Sequence, residues 1–299
     1  MSEGLAEEAS KRHAARVALL SVLSYVAFSV GVPLLSLPHL PGPWIGPAML
    51  LATMTTTIAF MLLQLWIPRA LVRLRMPAFV AAVAAGISLA AWAAFLAVVN
   101  RERGMEHAPW SPLLVIGVAG MGTSLTVGLS CLGLLLSRII REPNVLLPVA
   151  FVAMPIDYMG AMTPTGYTAN MVKHHPNIVQ HVSVLVPHVH GVEPVGFIGP
   201  GDILFIAFFL CVVQRLSMNE PGTFRAMFLL LTATLLVVAF RQVNIAALVP
   251  MGLAVLIANF RFFKLQRSEV FATIYAALIV TALAYGFYQY SHHFMFGGK

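Results

Sequence analysis

Leu146-Leu-Pro-Val-Ala-Phe-Val-Ala-Met-Pro-Ile-Asp157-Tyr-Met-Gly160 and Phe197-Ile-Gly-Pro-Gly-Asp202-Ile-Leu-Phe-Ile-Ala-Phe-Phe-Leu210 are two apolar stretches, each interrupted by one aspartate. Asp157 and Asp202 are the only aspartates among the 299 residues. A carboxylate at membrane depth costs about 2.5–3.5 kcal/mol on insertion scales. Aspartate is cheap in a watery loop, and this chain places none there. The pattern therefore asks for a functional explanation before a structural one.

Working outward, the whole chain is 59% hydrophobic and 10% charged, with a mean hydropathy of +0.87. A soluble domain carries roughly 25% charged residues. So little polar surface cannot cover a water-soluble globule, and the class is an all-α polytopic membrane protein. The net charge of +7 is read as the basic bias of cytoplasmic loops rather than as a nucleic-acid footprint. Cys131 and Cys211 both fall inside apolar runs, which argues against a structural disulfide and against a zinc site built on cysteine. The polar, partly acidic start of the chain does not read as a cleavable signal peptide.

Nine apolar runs approach or reach the ~20 residues that span a bilayer as helix. Their expected limits are 15–37, 45–66, 77–99, 113–136, 145–165, 198–216, 223–240, 243–261 and 268–290. If all nine cross, the clusters Lys11/Arg12/Arg16, Arg69/Arg73/Arg75, Arg138/Arg141, Arg215/Arg225 and Arg261/Lys264/Arg267 fall on one side. By the positive-inside rule the N-terminus is then cytoplasmic and the C-terminus outside, with the cell membrane as the expected location. The chain is expected to form a single membrane domain over 1–299. Within it lie an N-terminal four-helix part (1–140), a core with both aspartates (141–261) and a C-terminal extra helix (262–299).

Asp157 and Asp202 occupy successive antiparallel spans joined by an outer connection of about residues 166–197, so similar depths are expected. Two carboxylates a few ångströms apart cannot both ionise cheaply, and such a pair shares one proton. The ionised member can take a proton from water while the protonated member donates to a carbonyl oxygen, which suffices for amide hydrolysis. Proton-coupled transporters also bury aspartates, and on the pair alone both readings stand.

The surroundings favour hydrolysis. Gly199-Pro200-Gly201-Asp202 is a Gly-x-Gly-Asp motif opening an apolar helix, and glycines there let a substrate backbone approach the carboxylate. The arrangement resembles the presenilin and signal peptide peptidase family of intramembrane aspartyl proteases. In that family the first aspartate is followed shortly by a Pro-x-Gly turn, matched by Pro164-Thr165-Gly166. The second lies in Gly-x-Gly-Asp at the start of the next helix. A Pro-Ala-Leu element comes two helices later; here Leu248-Val249-Pro250-Met251-Gly252-Leu253 stands in its place. The resemblance covers roughly residues 145–261 and implies a presenilin-like fold. Departures are Ile156 where the family has an aromatic residue, Pro200 as the variable residue, and Pro-Met-Gly-Leu for Pro-Ala-Leu.

By that resemblance, Asp157 and Asp202 are the catalytic pair. Tyr158, Gly199, Pro200, Gly201, Leu248, Val249, Pro250, Met251, Gly252 and Leu253 bind substrate. The substrates are transmembrane segments of other proteins, and no metal or other cofactor is called for. The expected orientation of the aspartate helices is like that of signal peptide peptidases and opposite to that of presenilins, implying substrates with a cytoplasmic N-terminus. Alternatives are a proton-coupled transporter, a prepilin-peptidase-like protease, and an inactive relative that binds membrane segments.

Other features have plainer readings. His174, His175, His181, His188 and His190 crowd the outer connection. His188 and His190 on one strand face, with Glu193, would make a zinc site, but polar loop histidines are the simpler account. The β-branched run Val182–Val186 reads as a short strand whose edge could pair with an unwound substrate. Gln64 and Arg241, near span ends, are expected to snorkel or cap. Gly120, Gly122, Gly128, Ser124 and Ser130 are expected to pack helices, and Trp44, Trp66 and Trp110 to anchor at interfaces.

Overall fold

The computed structural model describes residues 2–36, 42–104, 111–162, 166–190, 196–241 and 245–264, together with isolated helical positions between 271 and 289. The elements are α1 (Ser2–Leu34), α2 (Gly42–Arg73), α3 (Ala78–Gly104), α4 (Pro112–Leu136), α5 (Leu146–Met162), α6 (Tyr167–His174), α7 (Pro176–Val182), β1 (Val184–Leu185), β2 (Phe197–Ile198), α8 (Pro200–Arg215), α9 (Glu220–Arg241) and α10 (Leu248–Asn259).

Six helices among the described residues are long and apolar enough to cross a bilayer: α1–α4, α9, and α5 together with the turn that leads into it, Pro143–Met162. They match six of the nine expected spans and give the pattern of a multi-pass membrane protein. Two further runs are helical but short. Sixteen residues of α8 and twelve of α10 rise about 24 and 18 Å at 1.5 Å per residue, against a hydrocarbon core of about 30 Å. The reason lies at their starts. Gly199-Pro200 begins α8 at the end of a strand, and α10 begins only at Leu248. The ninth expected run, 268–290, lies outside the described residues except for its isolated helical positions. So do Trp110, Pro164 and Glu193.

The chain divides into two compact units, Met1–Ser137 with Gln180–Cys211, and Arg138–Val179 with Val212–Lys299.

In the first unit α4 is the central helix, packed against α1, α2, α3 and β1. Ser111 caps it, its Oγ accepting from Leu114 N at 3.0 Å, with Pro112 in the first turn where a missing N–H costs nothing. Small residues set the spacing. A Cβ on Gly120 would stand 2.6 Å from the Phe95 ring, and one on Gly128 3.1 Å from Leu89, so both glycines serve the α3–α4 contact as expected. Gly122 faces the other way, towards Val184 of β1. Gln64 departs from expectation. It is fully buried and its Nε2 donates to Thr126 Oγ1 at 3.2 Å, because α2 runs on to Arg73 and places residue 64 inside the bundle rather than at a span end.

In the second unit α10 packs between α5 and α9. Asn259, fully buried, fastens α10 to α9: its Nδ2 donates to Thr223 Oγ1 at 2.7 Å and its Oδ1 accepts from Asn219 N at 2.9 Å.

The connection between α5 and α8, expected on the outer side, is more ordered than a loop. It folds into α6, α7 and an antiparallel pair of β1 with β2, in the register Val184 with Ile198 and Leu185 with Phe197. The expected strand is thus present, but shorter than the β-branched run, whose first residue Val182 closes α7.

Gly133 sets the approach of α8 to α4. A Cβ there would stand 2.5 Å from the carbonyl oxygen of Leu204 and 2.9 Å from Phe208 N. These are backbone atoms and cannot swing aside. Gly133→Val is expected to destabilise the protein by about 1–3 kcal/mol through overpacking, read as a lowered thermal midpoint in detergent, whereas Gly86→Ala, with nothing within 4 Å of its Cβ position, should leave the midpoint unchanged or raise it.

Candidate active site

Asp202 belongs to the first unit and is organised by the residues immediately before it. β2 ends at Ile198, Gly199 takes the capping position, and Pro200 opens α8 with its φ already suited to a helix. Asp202 then falls on the third helical residue. Its Oδ2 accepts from Gly199 N at 3.1 Å, the return half of a capping box. A Cβ on Gly199 would stand 3.2 Å from that same oxygen, while nothing lies within 4 Å of the Cβ position at Gly201. The two glycines of Gly-x-Gly-Asp therefore differ. Gly199 makes room for the carboxylate itself, and Gly201 leaves the approach beside it open. Asp202 is half-buried.

The β pair runs straight into this turn. Val186 N donates to Gly196 O at 3.1 Å, extending the pairing beyond the strands. One edge of β1 is thus occupied by β2. A cavity of about 200 Å³ lies along residues 183–188, between Tyr25 and Ser29 of α1 and Met121 and Gly122 of α4. His188 lines it, and His190 pairs by backbone with the segment after α1, its N–H donating to Leu35 O at 2.9 Å.

Asp157 belongs to the second unit. It lies on α5, two residues after Pro155, and is half-buried. Its Oδ2 accepts from Leu248 N at 2.8 Å, across 91 residues of sequence. Leu248 is the first residue of α10, and Ala247 before it offers no side-chain cap. The carboxylate of α5 therefore caps α10. It satisfies one of the four N–H groups that a helix start leaves open and lies where the helix dipole favours negative charge.

That bond is one of three contacts that fix α5 and α10 antiparallel. At the far end, Asn144 pairs with the backbone of Lys264, its Nδ2 donating to Lys264 O and its Oδ1 accepting from Lys264 N, both at 3.1 Å. Between them Met154 lies on Gly252, where a Cβ would stand 2.8 Å from its Sδ. The Pro250 element is thereby assigned its place. Leu248, Pro250, Met251 and Gly252 are buried, Val249 is half-buried, and Leu253 and Tyr158 are exposed. Pro250 is tolerated inside α10 because it falls in the first turn. Gly166, last of the Pro-x-Gly turn, starts α6 so close to the end of α5 that a Cβ would lie 2.5 Å from Met159 O.

No protein-family model, curated protein or solved structure matches the chain.

The second unit thus brings together Asp157 and the Leu248–Leu253 element, and the first gathers Gly199, Pro200, Gly201 and Asp202. Sequence reasoning missed Asn144. The available signal was an amide side chain directly after Glu142-Pro143, at the entry to an apolar helix, a position where amides bind neighbouring backbone.

Chemically, each carboxylate accepts a hydrogen bond from a backbone N–H through its Oδ2. Replacing Asp157 by Ala strands the Leu248 N–H in a half-buried setting, whereas Asn retains an acceptor oxygen. Asp157→Ala is expected to cost about 1–3 kcal/mol more than Asp157→Asn, measured as the difference between their unfolding midpoints. Equal midpoints for the two variants would show that the hydrogen bond contributes nothing to the fold.

Proposed function

We propose that the chain is an intramembrane aspartyl endopeptidase of the presenilin and signal-peptide-peptidase type, cleaving peptide bonds inside transmembrane segments of other proteins. Asp157 and Asp202 serve as the acid–base pair. One carboxylate draws a proton from water as the oxygen attacks the scissile carbonyl, and the other delivers a proton to the carbonyl oxygen. The resulting tetrahedral diol then collapses with protonation of the departing nitrogen.

The observation that carries the reading is the bond from Leu248 N to Asp157 Oδ2. The first aspartate and the Pro250 element are 91 residues apart in sequence, and this bond joins them. A carboxylate that touches the very start of that element is what a shared site requires. The different surroundings of Gly199 and Gly201 lend further support, since an extended substrate needs an open approach beside the acid. On this reading Tyr158 and Leu253, both exposed, face substrate or lipid, and the N-terminus lies in the cytoplasm, as the distribution of arginine and lysine requires.

The decisive measurement is cleavage of a single-span reporter by purified protein in proteoliposomes, comparing wild type with Asp157→Asn and Asp202→Asn. Each variant keeps side-chain shape and should lose at least about 10³-fold in rate, at the upper part of the range for an acid–base group. Hydrolysis within tenfold of wild type in either variant would sink the dyad. Substrate-coupled proton flux lost in both variants, with no cleavage by the wild type, would replace the reading with a transporter.

A further inference from the structure

At one end of the second unit three chain segments are stitched together. Arg215 donates to Ile140 O at 3.2 Å, Asn144 pairs with Lys264, and Asn219 joins Ala258 and Asn259. These bonds bring the segments before α5, between α8 and α9, and after α10 to the same place. The segments and the adjoining first turns of α9 carry Arg138, Arg141, Arg215, Arg225, Arg261 and Lys264 against two carboxylates, Glu142 and Glu220. The positive-inside rule accounts for such an excess as a topology signal, but it asks nothing of the apolar residues alongside.

Those residues are distinctive here. A cavity opens at the end of α10, lined by Asn219, Ile257, Ala258, Phe260, Arg261 and Phe262. Ile257 is 63% exposed, Phe260 64% and Phe262 39%. Arg261 lies over Phe260, its guanidinium carbon 5.5 Å from the ring centre. Asn219 is committed to the fold, its Nδ2 donating to Ala258 O and its Oδ1 accepting from Gly222 N. The guanidinium is therefore the group offered to a ligand, in a cavity that Ile257, Phe260 and Phe262 also line. A planar fork of donors suits a phosphate, and exposed isoleucine and phenylalanine suit a hydrocarbon chain. One molecule combines the two, and it is enriched in the leaflet that basic loops face.

We propose that this cavity binds one anionic phospholipid, its phosphate held by Arg261 and an acyl chain lying along Ile257 and Phe260. Zwitterionic lipid shares the phosphate but brings a second cation into a basic surround, so the site discriminates by headgroup charge.

Native mass spectrometry of the full chain, released from detergent with added lipid, tests this. Phosphatidylglycerol should be retained as a one-to-one adduct in clear preference to phosphatidylcholine of the same chains. Arg261→Gln should weaken that adduct about tenfold, the worth of one charge-assisted contact. Arg261→Lys, the safeguard should the Gln variant misfold, should retain the preference at reduced strength, and Arg16→Gln in the other unit should change nothing. Equal retention of the two lipids would overturn the proposal. So would an Arg261→Gln adduct as strong as wild type, or an Arg16→Gln loss as large as that of Arg261→Gln. Displacement of the adduct by an equimolar amount of inorganic phosphate would also overturn it, since the acyl chains would then contribute nothing.

Discussion

A backbone N–H inside a bilayer has no water to turn to, and the two candidate catalytic carboxylates are placed by that constraint. Every helix start leaves donors open, and non-helical backbone at membrane depth must find its partners within the protein. The starts of α8 and α10 carry such open donors. Asp202 reaches back to Gly199 N at one, and Asp157 reaches across to Leu248 N at the other. The costly feature of the sequence, two aspartates in apolar surroundings, and the costly feature of the backbone, two helix starts, offset one another. Each acid thus has a bond to the main chain that helps to fix its orientation.

This economy explains why the two motifs look as they do. Gly-x-Gly-Asp is read as a substrate-approach motif, and Gly201 fits that reading. Gly199 has a second duty, because any side chain there would crowd the oxygen it is bonded to. Pro200 follows from the same geometry, since the first helical residue has no intrahelical use for its N–H. In the Pro250 element, the glycine that replaces the more usual pattern admits Met154. That glycine thus has a contact partner on the helix that carries the first aspartate.

Much of the fold was legible because the signals were long. Runs of twenty or more apolar residues admit few alternatives, and α1–α5 and α9 follow them closely. The glycines of α4 were legible as packing residues because close helix approach leaves little else for them to do. What escaped was decided by partners distant in sequence. Gln64 reads as a span-end residue until Thr126 and the true length of α2 are known. Asn144 has no meaning without Lys264, and the connection between α5 and α8 reads as a loop because α6, α7 and a two-residue strand are too short to leave a periodic pattern. For the site, the residue types and their local turns were readable, whereas the capping of α10 by Asp157 was not, since it joins residues 91 positions apart.

That separation has a consequence for biosynthesis. A ribosome completes α5 long before it reaches Leu248. For the time needed to make those intervening residues, Asp157 enters the membrane without the donor that later orients it, at the full cost of an unpaired carboxylate. The bond between Asp157 and Leu248 can therefore form only after all the residues between them have been made.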